Sequence, residues 1–461
     1  MIKTEIEKLL AKTEVLNKTL TSALKTRADV RDYSHLTYLT EEKGKNVRVW
    51  TKALSQAIKD NEIVIIPDND EPYYIDSTVT IPSNRRIEAG KKAVIRLLSD
   101  VKVLMLRNEH TLDGTHAPIK SEVKDKNITI IGGRWEEAHT YRAGYGKSGM
   151  YDENRTFYGV STCMFFNNME NLTLKNLTFA NAGGFAIQIG DIKNVVAENI
   201  EFCSCFADGL HINGNTENAV VRHLHGQVGD DLLALNMYDW QDSSVNFGPI
   251  KNLLAEDLEL SADSLYKALR ILPGLYYYKD GSTVDCSLNN AVIRGVKGIN
   301  TFKLYYQTPS YKIADKNPEK GGVGSGDNIY FEDIEIDLDS PVDKLLPYME
   351  SDPLRGNMGA FEIGANIDNL NLENIRITFH KDIYPLSYLV TAGPKSVQLD
   401  DREVFDPYIS CTVNGLNLKN ITVNGEKAED CSALIKEIEF CDLYSDGFSS
   451  GKGEIKNINI E

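Results

Sequence analysis

From residue 126 to its end the chain repeats one pattern: a polar turn carrying Asn, an alternating apolar stretch of four or five residues, another Asn, Asp or Gly, and a second alternating stretch. The copies read KNITIIGG (126–133), ENLTLKNLTFANA (170–182), KNVVAENIEFCSC (193–205), ENAVVRHLHGQV (217–228), KNLLAEDLELSA (251–262), NNAVIRGVKGIN (289–300), DNIYFEDIEIDL (327–338), DNLNLENIRITF (368–379) and NGLNLKNITVNG (414–425). Asn171 and Asn194 are 23 residues apart, Asn194 and Asn218 are 24, and Asn252, Asn290 and Asn328 follow at intervals of 38. Inside each unit the apolar period is two, which makes strands rather than helices. One such unit cannot bury its apolar face until neighbours stack on it, so the chain must form a solenoid. The predicted fold class is all-β, a right-handed parallel β-helix. The recurrent asparagines are assigned to corners, where Asn tolerates left-handed backbone and stacks on its counterpart in the next coil.

Ile2, Ile6, Leu9, Leu10, Leu16, Leu20 and Leu24 fall at three- and four-residue spacing and predict an amphipathic helix. Residues 1–29 are therefore read as an N-terminal helical extension, a cap over the open end of the solenoid or a surface for a second subunit, and 30–461 as the β-helix domain with long groove-lining loops. VWTKALSQAIK predicts a second helix, IVIIP a first strand, and GGVGSG (321–326) a flexible loop. Segments inserted at about 135–160, 237–250, 273–288, 305–326, 339–359 and 381–411 leave successive coils and are expected to wall a groove.

The 50 Lys and Arg against 67 Asp and Glu give a formal charge of −17, which excludes a nucleic-acid partner bound through a basic footprint. No apolar run approaches the length of a bilayer span, and no membrane partner is expected. Seven scattered cysteines form neither a C-x-x-C pair nor a zinc pattern and are read as reduced, mostly buried thiols, with Cys203 and Cys205 on one strand face. The first ten residues, MIKTEIEKLL, lack the apolar core of a secretory signal, and a cytoplasmic location is expected. Oligomeric state is left open.

A third short strand recurs in each coil: FAIQIG (185–190), DGLHING (208–214), DDLLALN (230–236), ALRILPG (268–274), NTFKLYY (300–306) and AFEIGAN (360–366). Asp208 and Asp230 are 22 residues apart, one coil, so Asp208, Asp230 and Asp231 are expected at one edge of two adjacent strands. Arg270 and Lys303 follow on the next strands, and His211 shares the strand of Asp208. A turn Asp alone is ordinary; three in register beside cations read as a catalytic cluster. Tyr276, Tyr277, Tyr278, Tyr305 and Tyr306 are candidates for stacking on sugar faces. His223 and His225 lie on another strand, and His35, His110, His116, His139 and His380 show no constellation.

A-D-G-L-H-I, followed one coil later by G-D-D-L-L-A-L, resembles the N-T-D and G-D-D signatures of the polygalacturonase family of glycoside hydrolases, in the pectin-lyase-like β-helix superfamily. N-T-F-K-L resembles its R-I-K motif, and VRDYS … KALSQAIK … IVIIP … TVTIPSNRRIEAG looks like the capping segment and first coil of pectin-acting β-helix enzymes. The resemblance implies Asp231 as general acid and Asp208 and Asp230 as the carboxylates that activate water. An inverting glycosidase independently needs such groups, with acid and base about 6.5–9.5 Å apart. The chain departs from the family at Phe206-Ala207-Asp208, where the asparagine of N-T-D is missing. It departs again at ALRILPG, which has no histidine, and at Thr301, which replaces an arginine. The expectation is the family's acid–base machinery turned to a different substrate: an inverting, exo-acting glycoside hydrolase whose partner is a uronate- or rhamnose-containing oligosaccharide. His211, Arg270, Lys303 and Tyr305 would bind that substrate, with no cofactor and no metal. The alternatives are a polysaccharide lyase or epimerase with Ca²⁺ on the aspartates, and a carbohydrate-binding β-helix without activity.

Overall fold

The computed structural model describes residues 2–111, 123–142, 162–238, 246–277, 281–305, 322–339, 358–393, 396–399, 402–405, 410–442 and 449–461. The repeats coil into a right-handed parallel β-helix, as period-two strands joined by short corners dictate. Met164 pairs with Ile187, Ile187 with Leu210, and Leu210 with Leu233, so the three tightest coils are each 23 residues long. Inward positions such as Leu172, Leu174, Leu177 and Phe179 are fully buried, and one continuous apolar core runs the length of the solenoid. Among the described residues no helix is long and apolar enough to cross a membrane.

The corner asparagines do what was expected of them. Asn127, Asn171, Asn194, Asn218, Asn252, Asn290, Asn328 and Asn369 all have positive φ, and each donates its amide to the counterpart one coil back. The ladder begins with Asn127 on Asn84 at 2.7 Å, continues with Asn171 on Asn127 at 2.8 Å, and reaches Asn328 on Asn290 at 3.3 Å. Left-handed backbone costs other L-residues about 1–2 kcal/mol, and the amide both tolerates it and supplies a bond between coils.

Helix α1 (Ile2–Ser22) differs from its expected role. It caps no end of the solenoid but lies along its flank. Ile6 and Leu10 are buried against Val196, Val220, Leu254 and Val292, a register column facing outward from the long strands. Asn17 Nδ2 donates to the carbonyls of Leu172 and Asn194 at 3.0 and 3.2 Å, and Arg294 Nη1 to Glu7 at 2.8 Å. The buried stripe is Ile6, Leu10, Thr13 and Asn17, whereas Ile2, Leu9 and Leu16 remain exposed. Apolar spacing alone could not say which side of the helix would meet the sheet. The same register column becomes Asn371 and Asn417 farther along the solenoid. Helix α2 (Thr51–Asp60), in the segment likened to a cap, buries Ala53, Leu54, Ala57 and Ile58 in the main core beside the first strands.

Two smaller expectations change. Gly322–Val323 is a strand against Gly274–Tyr277, and Ser325 opens the long strand Ser325–Leu338, so most of GGVGSG is not a loop. Gly324 allows this because a Cβ there would stand 2.1 Å from the Gly274 nitrogen. Cys203 and Cys205 share no face, since Ser204 has φ 54° and turns the chain between them. Cys205 is buried while Cys203 lies half-buried beside Arg134. Cys163, Cys286, Cys411 and Cys431 are free and buried.

Candidate active site

The short strands of successive coils form one parallel sheet, and alternate residues on it point away from the core. Gln188, His211 and Ala234 make one outward register column, and Arg270, Lys303 and Glu362 continue it. The corner before each strand supplies the carboxylates. With a 23-residue coil, Asp208 lies in register with Asp231 rather than with Asp230 as the sequence interval suggested. The Asp231 amide accordingly donates to Asp208 Oδ1 at 3.1 Å.

The three carboxylates meet: an oxygen of each lies within 4.8 Å of one from each other group, and all three residues are buried. That is closer than the expected separation of about 6.5–9.5 Å and nearer the roughly 5–5.5 Å of retaining enzymes. The physical reason is Arg270. Its main-chain N–H and Nε donate to Asp231 Oδ1 and Oδ2 at 2.8 and 2.6 Å, and its Nη2 donates to Asp230 Oδ1. Arg142 Nη2 takes the other Asp230 oxygen at 2.7 Å. Arg270, expected as a substrate-binding residue, is thus committed to the aspartates. Its guanidinium also lies 5.0 Å from the centre of the Tyr266 ring, which Lys303 Nζ approaches to 5.5 Å. Lys303 makes no ion pair among the described residues. His211 lies 1% exposed behind Asp208, its Nδ1 2.5 Å from Asp208 Oδ2 and its ring stacked on Phe185 at 3.9 Å.

These environments separate three chemically identical groups. Burial holds Asp231 well above the ordinary carboxylate range against the pull of Arg270, and the like charges of Asp230 and Asp208 add to the rise. Asp208 is raised by burial and by Asp230, against the hydrogen bond from His211. Burial would raise Asp230 too, but Arg270 and Arg142 together reverse it and leave Asp230 below the usual range. One buried, proton-retaining carboxyl next to an anionic one is the arrangement acid–base catalysis requires.

Three converging carboxylates are oxygen donors of the kind Ca²⁺ takes, but Arg142 and Arg270 already pair with Asp230 and Asp231 and compete with any cation there. A second acidic group, Glu109, His110 and Asp125, gives His110 a carboxylate partner that the sequence did not show. Asp125 already accepts from Ser83, Asn108 and the His110 backbone, which makes it a structural knot. His139, His223 and His380 likewise pair with Glu137, Asp257 and Asp337.

Tyr276 packs on Phe247 at 4.5 Å with the rings nearly parallel, as a wall residue, and Tyr305 is half-buried, in register with Gly364. Tyr278, Tyr306 and His116 lie outside the described residues, as do the Tyr277 side chain and most of the inserted segments expected to wall the groove.

Sequence reasoning missed Arg142, Tyr266, Asn213 and Gln188. Gln188 and Asn213 were legible as polar residues at outward strand positions, but Arg142 carried no signal, being 88 residues from its partner Asp230. The segment that delivers Arg142 is anchored by Glu137, whose Oε2 accepts from the Gly183 amide at 2.9 Å. Burial pushes the Glu137 carboxyl up to about 8. A raised acid binds its proton more tightly in the folded state, so its contribution to stability falls as pH rises from the unfolded value through about 8. Urea titrations between pH 5 and 9 are expected to show that decline in the wild type and a flatter dependence in Glu137→Gln. Parallel curves would contradict it.

No family model matches the sequence, and no curated protein matches it. Solved structures do. The chain superposes on a hyperthermoactive exopolygalacturonase from Thermotoga maritima with TM-score 0.51 at 12% identity, over 90% of this chain and 97% of that one. A family 28 exopolygalacturonase from Yersinia enterocolitica gives 0.50 at 12%, covering 94% and 78% of the two chains. The catalytic unit of a thermostable α-1,3-glucanase from Streptomyces thermodiastaticus gives 0.50 at 13%, covering 94% and 68%. At such identity the likeness is one of fold, the right-handed parallel β-helix.

Proposed function

We propose that this protein is a glycoside hydrolase that cleaves a glycosidic bond in an oligosaccharide, acting from the chain end and with inversion. The observation that carries the reading is the cluster of Asp208, Asp230 and Asp231, whose surroundings push their proton affinities apart on one outward strand edge. Asp231 is the proton donor to the leaving oxygen. Asp230, kept anionic by two arginines, accepts the proton of the attacking water, and Asp208 completes the negative wall. Lys303, without an ion-pair partner among the described residues, faces the acidic or hydroxyl-rich part of the sugar. Fold likeness to glycosidases supports the class and leaves the sugar open.

The short carboxylate spacing favours one specific second reading, in which Asp230 attacks the anomeric carbon directly and configuration is retained. Ca²⁺-dependent elimination is disfavoured because Arg142 and Arg270 already neutralise the aspartates. The test is a proton-NMR screen against α-linked uronide, rhamnoside and galactoside oligosaccharides, with and without chelator. The expected result is release of single terminal units whose first-formed anomer is inverted, at a rate indifferent to chelation. A retained anomer would transfer the assignment to the covalent route. Olefinic uronate signals abolished by chelator would establish a lyase instead, and turnover of no substrate would leave carbohydrate binding as the function.

A further inference from the structure

Along the outward face of the short-strand sheet four side chains are joined end to end. Gln188 Nε2 donates to Asn213 Oδ1 at 2.8 Å, Asn213 Nδ2 lies 3.1 Å from His211 Nε2, and His211 Nδ1 lies 2.5 Å from Asp208 Oδ2. Gln188 and Asn213 are wholly buried, and His211 and Asp208 are 1% exposed. The chain of bonds has a direction. An amide whose oxygen accepts from Gln188 turns its NH₂ toward the imidazole, and an NH₂ group requires a lone pair on Nε2. An imidazole with a lone pair on Nε2 carries its proton on Nδ1, where it points at Asp208. Asp208 Oδ2 must then accept, as Oδ1 already does from the Asp231 amide. Phe185, stacked 3.9 Å from the ring centre, holds the imidazole plane.

We propose that Asn213 and Gln188 are positioning residues for Asp208: they fix His211 in the neutral Nδ1–H tautomer, and that tautomer holds Asp208 ionised and aimed beside Asp231. The catalytic consequence rests on the hydrolytic reading above, whereas the tautomer itself does not. Reversing the amide changes the logic of the chain. Asn213→Asp is isosteric but presents only acceptors to Nε2, so His211 must take a second proton. An imidazolium facing Asp208 favours its ionised form more strongly than a neutral ring does.

The experiment is a long-range proton–nitrogen correlation of the histidine rings in the full-length protein, together with the pH profile of kcat. His211 is assigned by replacing the other seven of the eight histidines singly. The wild type is expected to show a protonated Nδ1 and an unprotonated Nε2. Asn213→Asp is expected to show both nitrogens protonated at neutral pH and an acid limb of kcat shifted about one unit lower, with KM nearly unchanged. Gln188→Met, one link farther away, leaves the Asn213 amide held only by its donation to the Asn236 carbonyl at 3.3 Å and is expected to admit a minor population of the other tautomer and lower kcat several-fold. It keeps the proposal testable if Asn213→Asp does not fold. A neutral ring protonated on Nε2 in the wild type would overturn the proposal, because the Asn213 amide would then be flipped to accept from Nε2 and Asp208 would have to donate to Nδ1. So would ring shifts and a pH profile in a folded variant that superimpose on those of the wild type. If the wild type cleaves no glycoside, the hydrolytic reading fails and the ring spectrum still decides the tautomer.

Discussion

Replacing Asp231 by Asn is expected to lower kcat on an oligosaccharide by roughly 10²–10⁴-fold, the usual contribution of a positioned general acid. The group retains its proton because it is fully buried beside two other carboxylates, and an amide has no proton of comparable acidity to give. The loss should depend on the leaving group. An aryl glycoside whose phenolate departs without help needs little protonation, so Asp231→Asn should cleave it with a much smaller deficit. Wild-type kcat on the oligosaccharide should fall as pH rises through the raised acid's range, and the variant should lack that limb. Equal losses on both substrates would remove Asp231 from the role of acid and make it a support for Arg270.

Arg270→Met is expected to destabilise the fold by about 3–5 kcal/mol, the usual cost of removing one partner from a buried ion pair. Arg270 donates through its side chain to both Asp230 and Asp231 while only 18% of that side chain is exposed. Methionine fills much of the volume but leaves carboxylates facing one another, with Arg142 still on Asp230. Lysine would not restore the site, since a single ammonium cannot bridge two carboxylates as the guanidinium fork does. The sign with pH follows. Without the cation the aspartates bind protons more tightly in the folded state, so the variant should lose stability as pH rises and recover part of the deficit on acidification. Denaturant titrations at about pH 5 and 7.5 would measure this. A deficit below about 1 kcal/mol would mean that the carboxylates are neutralised by something other than Arg270.

The corner asparagines show how far local chemistry reaches. Their positive φ and their ladder follow from the amide itself, and the same period-two strands that located them located Asp208, Asp230, Asp231, Arg270 and Lys303 on neighbouring strands of one sheet. What the sequence misjudged were contacts made by parts of the chain lying far apart. Counting 22 residues put Asp230 over Asp208, but backbone pairing sets the coil at 23 and puts Asp231 there instead. Helix α1 had a legible apolar spacing, yet its place on the flank depends on outward Val and Leu residues from four separate coils.

The sequence by itself determined the solenoid, its corners and the strand edge that bears the carboxylates, because each follows from periodicity and backbone preference within one coil. Only the tertiary structure decided the protonation order of the three aspartates. That order depends on burial and on charges brought in from elsewhere, Arg142 from 88 residues upstream of Asp230 and Arg270 from the coil beyond. Electrostatic energy depends on distance through space and on access to water, and neither is written in the order of residues along the chain.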